Sequence, residues 1–167
     1  MKYTTYEIVF REVPNEVTLA INISGCKIYC PDCHSKYLWE DIGTELTKEE
    51  LDFLINKNDG ISCVCFMGGQ IDDLEYLWFW VHTRHPWLKI AWYTGEDSIP
   101  KHKGVEYLDY IKIGPYRKEL GGLDNSSTNQ KFYARGRAMH KMDANPYMFY
   151  NITDRFWKNE SKDKKVK

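Results

Sequence analysis

Residues 61–93 read ISCVCFMGGQIDDLEYLWFWVHTRHPWLKIAWY, and this stretch decides the fold class. Residues 61–67 form a short apolar run bounded by Gly60 and by Gly68-Gly69, the pattern of a strand buried on both faces. Asp72 and Glu75 stand where a helix N-terminus is capped, and Leu74, Leu77, Trp78 and Val81 then recur on one helical face. Pro86 ends that helix, and residues 88–93 are again strand-like, closing at Thr94-Gly95. Strand, helix, strand in so few residues predicts a parallel βαβ unit.

The same alternation continues on either side. Residues 17–23 are a β-rich run ending at Ser24-Gly25. Thr47 followed by Glu50 has capping-box spacing, and Leu51, Leu54 and Ile55 share a helical face after it. Residues 105–113 read as a further strand that ends at Gly114-Pro115. No internal repeat and no Pro/Gly/Ser linker divides the chain, so one domain is expected over residues 1–158. Residues 159–167 are charged and poor in apolar side chains, and are expected to be a disordered tail. The expected class is α/β, with helices covering a parallel sheet. In such folds ligands bind at the carboxyl ends of the strands, and here each of those ends carries glycine or cysteine.

Composition narrows the function. The 167 residues are 43% hydrophobic and 28% charged, which excludes a disordered or fibrous chain. Twenty-three Lys and Arg balance 24 Asp and Glu, so a dedicated nucleic-acid binder is not expected. No apolar run approaches the roughly 18 residues that span a bilayer. Residues 1–11 carry Glu7 and no small-residue cleavage pattern, so a signal peptide is not expected either.

Five cysteines are present, and three lie close together at Cys26, Cys30 and Cys33, with the spacing C-x3-C-x2-C. An odd count with such clustering argues for thiolates converging on a metal in a reducing compartment, hence a cytoplasmic protein. Zinc sites favour four ligands, commonly as two C-x2-C pairs, and His34 is poorly placed to complete one here. An iron–sulfur cube on three thiolates keeps one iron open, as a catalytic cluster requires. Both metals remain possible on spacing alone. Cys63 and Cys65 alternate on an apolar strand and are expected in the core, as are most of Trp78, Phe79 and Trp80.

The cysteine spacing after the first of these strands, followed by a strand ending in Gly-Gly, resembles the radical S-adenosylmethionine enzymes. Downstream, Tyr110-Ile-Lys-Ile-Gly-Pro-Tyr116, Gly121-Gly122-Leu123 and Ser127-Thr128-Asn129-Gln130 are similar to the signature of anaerobic ribonucleoside-triphosphate reductase activating proteins. The resemblance covers about residues 17–132. It implies a partial (β/α) barrel of mostly parallel strands. It implies a 4Fe–4S cluster held by Cys26, Cys30 and Cys33, whose open iron binds S-adenosyl-L-methionine. One electron from the cluster cleaves the sulfonium and releases a 5′-deoxyadenosyl radical, which places a glycyl radical on the catalytic subunit of the reductase. A flavodoxin-like or other low-potential donor reduces the cluster. No residue is expected to be catalytic beyond the cluster and cofactor.

By the same resemblance, Asp32, Cys33 and His34 lie at the adenine end of the cofactor. Gly68 and Gly69 meet its methionine amino group, and Thr94-Gly95 its ribose or carboxylate. Asn129 and Gln130 match the signature without an implied role. Three positions depart from the pattern: Asp32 stands for an aromatic residue, Gln70 for an acid, and Ile113 for the Asp of an Asp-Gly-Pro. Two other readings share the residues. One is radical chemistry on another glycyl-radical enzyme or on a small molecule such as a deazapurine precursor. The other is a zinc-binding protein-interaction module.

Overall fold

The computed structural model describes residues 1–157; the tail expected at 159–167 lies outside the described residues. One sheet of eight strands runs in the order β3-β1-β2-β4-β5-β6-β7-β8. Its strands are β1 (Lys2–Val9), β2 (Thr18–Ile23), β3 (Thr44–Glu45), β4 (Cys63–Gly68), β5 (Lys89–Tyr93), β6 (Tyr110–Ile113), β7 (Lys131–Arg135) and β8 (Phe149–Asn151). Two α-helices, α1 (Lys48–Lys57) and α2 (Ile71–Arg84), precede β4 and β5.

The four strands expected from sequence are β2, β4, β5 and β6, and they pair in parallel with one another. The expectation of a mostly parallel sheet is corrected by the flanks. β1 pairs antiparallel with β2 and β3, and β7 antiparallel with β6 and β8. The physical reason is the connections. Parallel neighbours need a crossover, supplied here by α1 before β4 and α2 before β5, whereas a loop such as that between β1 and β2 simply turns the chain back. The structure is therefore mixed α/β, with a parallel centre and antiparallel margins.

Local sequence explains the helix limits. Thr47 caps α1, its Oγ1 accepting from the Glu50 amide at 3.2 Å. The reciprocal half of a capping box is missing because the Glu50 carboxylate accepts from Tyr3 Oη instead, at 2.7 Å. At α2 the cap position is Gln70, with no side-chain capping bond. Asp72, expected with Glu75 to cap, sits instead inside the first turn beside Asp73, where the charge of both favours the helix dipole. The helix ends at Arg84, since the residue before Pro86 is pushed out of helical geometry. The fourth expected strand is shorter than its run of residues: Lys103–Tyr107 form a 3-10 turn and only Tyr110–Ile113 pair.

Alternation along the strands builds two cores. Leu19, Ile21, Ile23, Val64, Phe66, Ile90, Trp92 and Ile111 pack with Leu51, Leu54, Leu74, Leu77 and Trp78 of the two helices. The opposite face gathers Cys63, Cys65, Ala91, Tyr110 and Phe132 with Val13, Leu123 and Ile152 from loops. Trp78 is fully buried, as expected, whereas Phe79 is 50% exposed. The second face carries Met67, Tyr93 and Lys112 near the carboxyl ends of β4, β5 and β6, and the candidate site lies there.

Candidate functional site: the cysteine loop and the cleft beside it

β2 ends at Ile23, and the chain leaves it through Gly25 in left-handed backbone (φ +74°). The loop that follows closes on itself. Gly25 N donates to Glu40 O at 3.0 Å and Cys26 N to Leu38 O at 2.9 Å, so its first residues are tied to its last. Tyr29 is also left-handed (φ 51°), and its ring meets Trp39 edge-on at 5.4 Å. Cys33 N donates to Cys30 O at 3.0 Å, tightening the turn between the second and third cysteines.

Cys26, Cys30 and Cys33 are all free thiols, half-buried in this loop. Burial pushes the Cys26 thiol up, and the backbone amides of Ile28 and Tyr29 partly offset that by bonding to its sulfur. Ser35 N donates to Cys33 Sγ at 3.3 Å. Amides aimed at sulfur favour the thiolate and tune any iron it holds, so the donor set fits a thiolate-bound metal group. Among the described residues no three His, Cys, Asp or Glu side chains are gathered about one point so as to hold a metal ion. Cys63 and Cys65 are fully buried, with thiols raised by desolvation, and stand as core residues, the place expected of them. Cys63→Ala is expected to leave metal loading unchanged and to cost about 1 kcal/mol of stability, read from iron content and denaturant unfolding.

The loop is docked on the carboxyl ends of the parallel strands. Ile28 seats on Gly95 just beyond β5, where a Cβ would come within 2.6 Å of Ile28 Cγ2. Gly95 therefore has a packing role that the sequence did not reveal. Thr94 is buried, and its Oγ1 accepts from Glu96 N at 3.3 Å. Gly68 (φ +95°) and Gly69 (φ +77°) make the turn from β4 into α2. A Cβ on Gly69 would lie 2.9 Å from Ile23 Cγ2 and 3.0 Å from Leu74 Cδ1, so close packing also demands glycine there. Gly69 and Gln70 line a small pocket of about 220 Å³ with Ile23, Gly25 and Lys27.

The far wall is the segment after β6. The His34 and Tyr116 rings lie 4.3 Å apart, and Lys118 N donates to Asp32 Oδ2 at 3.4 Å. Asn129 Nδ2 donates to Pro115 O at 2.9 Å and Gln130 Nε2 to Gly114 O at 3.4 Å. Thr128 Oγ1 donates to Gly121 O at 3.1 Å. The Thr128-Asn129-Gln130 run thus holds the 114–121 loop against the cysteine loop, a role not derivable from its sequence. Beside them lies a cleft of about 710 Å³, lined by Met67, Tyr93, His34, Tyr116, Gly121 and Gln130 among others; of the expected site residues only His34 lines it, while Gly69 lines the separate smaller pocket. That volume is within the range of cofactor and small-molecule sites.

One functional candidate was missed in the sequence. Lys112 is 8% exposed on the inner sheet face, and its Nζ donates to Gly114 O at 2.7 Å and Thr94 O at 3.3 Å. Burial lowers its pKa to about 8, while the nearby thiols of Cys30, Cys33 and Cys26 act to raise it. The available signal was a lysine set between two isoleucines in a strand that ends at Gly-Pro.

Compared with known proteins, the chain matches no family model, no curated protein and no solved structure. The functional reading therefore rests on the motifs and on the geometry around them.

Proposed function

We propose that this chain is a radical S-adenosylmethionine activase that installs a glycyl radical on the catalytic subunit of an anaerobic ribonucleoside-triphosphate reductase. The observation that carries the reading is the docking of a free three-cysteine loop across the carboxyl ends of parallel strands, beside a cofactor-sized cleft. The downstream signature forms the opposite wall of that cleft. On this reading the parallel centre β2-β4-β5-β6 is the core of a partial (β/α) barrel, and the protein is cytoplasmic.

Cys26, Cys30 and Cys33 would hold a 4Fe–4S cluster by one thiolate each. Such a cluster, reduced by a flavodoxin-like donor with S-adenosylmethionine bound, would supply the electron for cleavage of the sulfonium. Asp32 and His34 would flank the adenine end, where the Asp32 carboxylate accepts from the Lys118 amide and the His34 ring lies against Tyr116. Gly68-Gly69 would meet the methionine end through backbone groups at the β4 turn, and Thr94 fixes the β5 turn by accepting from Glu96 N. Met67 and Tyr93 would line the inner cleft, while Arg11, Asp124 and Asn125 are exposed on residues that border it.

The cleft volume also favours a second reading, radical chemistry on a small molecule bound there. The test is anaerobic incubation of the reduced, loaded protein with S-adenosylmethionine and a reductase catalytic subunit. A protein-bound glycyl radical on the subunit, seen by electron paramagnetic resonance, is the expected result. Cofactor cleavage with no radical on any subunit tried would transfer the assignment to the second reading. Stoichiometric zinc in place of iron would leave the protein-interaction module. Among the described residues no helix is long and apolar enough to cross a membrane.

A further inference from the structure

We infer that Gln130 is a substrate-reading residue: from the wall of the cleft its carboxamide hydrogen-bonds a backbone amide of the polypeptide segment that carries the acceptor glycine. The inference deepens the activase reading above and rests on it for the identity of that segment.

Gln130 is 6% exposed, and it lines the cleft. It precedes β7 by one residue and Phe132 by two, so strand alternation turns it to the same face as that core residue. Its backbone N donates to Thr128 Oγ1 at 3.2 Å and its Nε2 to Gly114 O at 3.4 Å, so the side chain is tethered by one long bond. A carboxamide carries two N–H donors and an oxygen acceptor. One N–H and the oxygen are left over: among the described residues Oε1 accepts no hydrogen bond. Nor is that oxygen sealed in, as the Oδ1 of neighbouring Asn129 is, which has no partner among the described residues. On a side chain so deeply buried, the cleft is what it opens to. A buried polar group without its partner costs free energy, and here the partner is a ligand's to supply.

Chemistry and shape select a peptide. A neutral donor–acceptor pair matches an amide better than a charged group. Gly121 and Gly122 line the same cleft and present backbone without side chains, which leaves room for a chain to pass. The cleft runs on into a groove of about 330 Å³, with which it shares Arg11, Asp124 and Phe156. Phe10, 69% exposed, borders that groove and offers an incoming polypeptide an apolar contact. A continuous track of this kind holds an extended chain, whereas a compact small molecule occupies one end. The cofactor is a poorer match. Of the residues expected to hold it only His34 lines the cleft, and Gly69 lines a separate pocket.

The test uses the full, iron-loaded chain under anaerobic conditions as wild type, Gln130→Met and Thr128→Val, with folding checked by circular dichroism. The probe is a fluorescently labelled synthetic peptide spanning the acceptor glycine of a reductase catalytic subunit, followed by anisotropy. A matching set of peptides carries a methyl group on each backbone nitrogen in turn. Wild type is expected to show one position at which N-methylation weakens binding about tenfold, because the N–H facing Oε1 is lost. In Gln130→Met that penalty is expected to fall below about twofold, and the unmodified peptide to bind about tenfold more weakly than to wild type. Thr128→Val loosens the same run by freeing Gly121 O, and is expected to keep the N-methyl penalty. Gln130→Asn, which withdraws the oxygen by one carbon, takes the place of Gln130→Met if that variant does not fold, with the same expectation. A penalty equal in wild type and the folded variant, or absent at every position in wild type, would overturn the inference and leave Gln130 a lacing residue. So would a loss of S-adenosylmethionine affinity larger than the loss of peptide affinity, because that assigns Gln130 to the cofactor. A wild type that binds no peptide overturns the inference, and one that also places no radical on the subunit removes the activase reading with it.

Discussion

Cys30→Ala is expected to take up almost no iron and sulfide on anaerobic reconstitution, and to lose the visible absorption of the loaded wild type. Cys30 sits at the centre of the curled loop, its carbonyl accepting from Cys33 N, so it fixes the third cysteine as well as offering its own sulfur. With three thiolates available and one iron meant to stay open, removing one leaves two protein ligands, too few to retain a cube. The loop itself should survive. Its closure depends on Gly25, Cys26, Leu38 and Glu40 backbone bonds that the substitution does not touch. Circular dichroism and thermal unfolding should therefore match wild type while iron content collapses. Iron retained at wild-type yield in Cys30→Ala would remove Cys30 from the ligand set.

Gly69→Val is expected to destabilise the fold by about 3 kcal/mol or more, lowering the denaturant midpoint with little change in slope. Two penalties combine. A β-branched residue at φ +77° is strained, and its Cβ meets Ile23 and Leu74, both fully buried and held by the core between β2 and α2. These side chains cannot move aside without disturbing the packing of Phe66 and Trp78 in the same cluster. Loss of S-adenosylmethionine binding in Gly69→Val would then follow from local unfolding, so it is not by itself a sign of contact with the cofactor. A Gly69→Val protein of wild-type stability would show that the β4–α2 turn has room the structure denies it.

How much was legible follows from where burial leaves a pattern. β2, β4, β5 and β6 were readable because parallel strands covered on both faces are mostly apolar runs, interrupted only singly, as by Asn22 and Lys112, and each closes at or next to glycine. β1 was not readable. Its sequence, KYTTYEIV, is half-exposed and polar, and its partners Ile23, Asn22 and Ile21 lie on another segment. β7 and β8 are five and three residues long and gain their places from β6 and from each other rather than from local pattern. The error about parallel strands followed: the visible strands were all parallel, and the margins were not visible. At the site, cysteine spacing exposed Cys26, Cys30 and Cys33 because metal chemistry leaves its mark in short-range spacing. Lys112 and the lacing by Asn129 and Gln130 are long-range relations, created only when β6, the β5 turn and the cysteine loop come together.

The central claim is that the three-cysteine loop carries a cluster with an iron open to S-adenosylmethionine. Its most direct test is electron paramagnetic resonance on protein reconstituted anaerobically with iron and sulfide, reduced, and recorded with and without S-adenosylmethionine. The account predicts a reduced-cluster signal whose shape changes when S-adenosylmethionine is added, and its loss in Cys30→Ala. A cluster signal indifferent to S-adenosylmethionine, or a colourless protein holding one zinc, would contradict it.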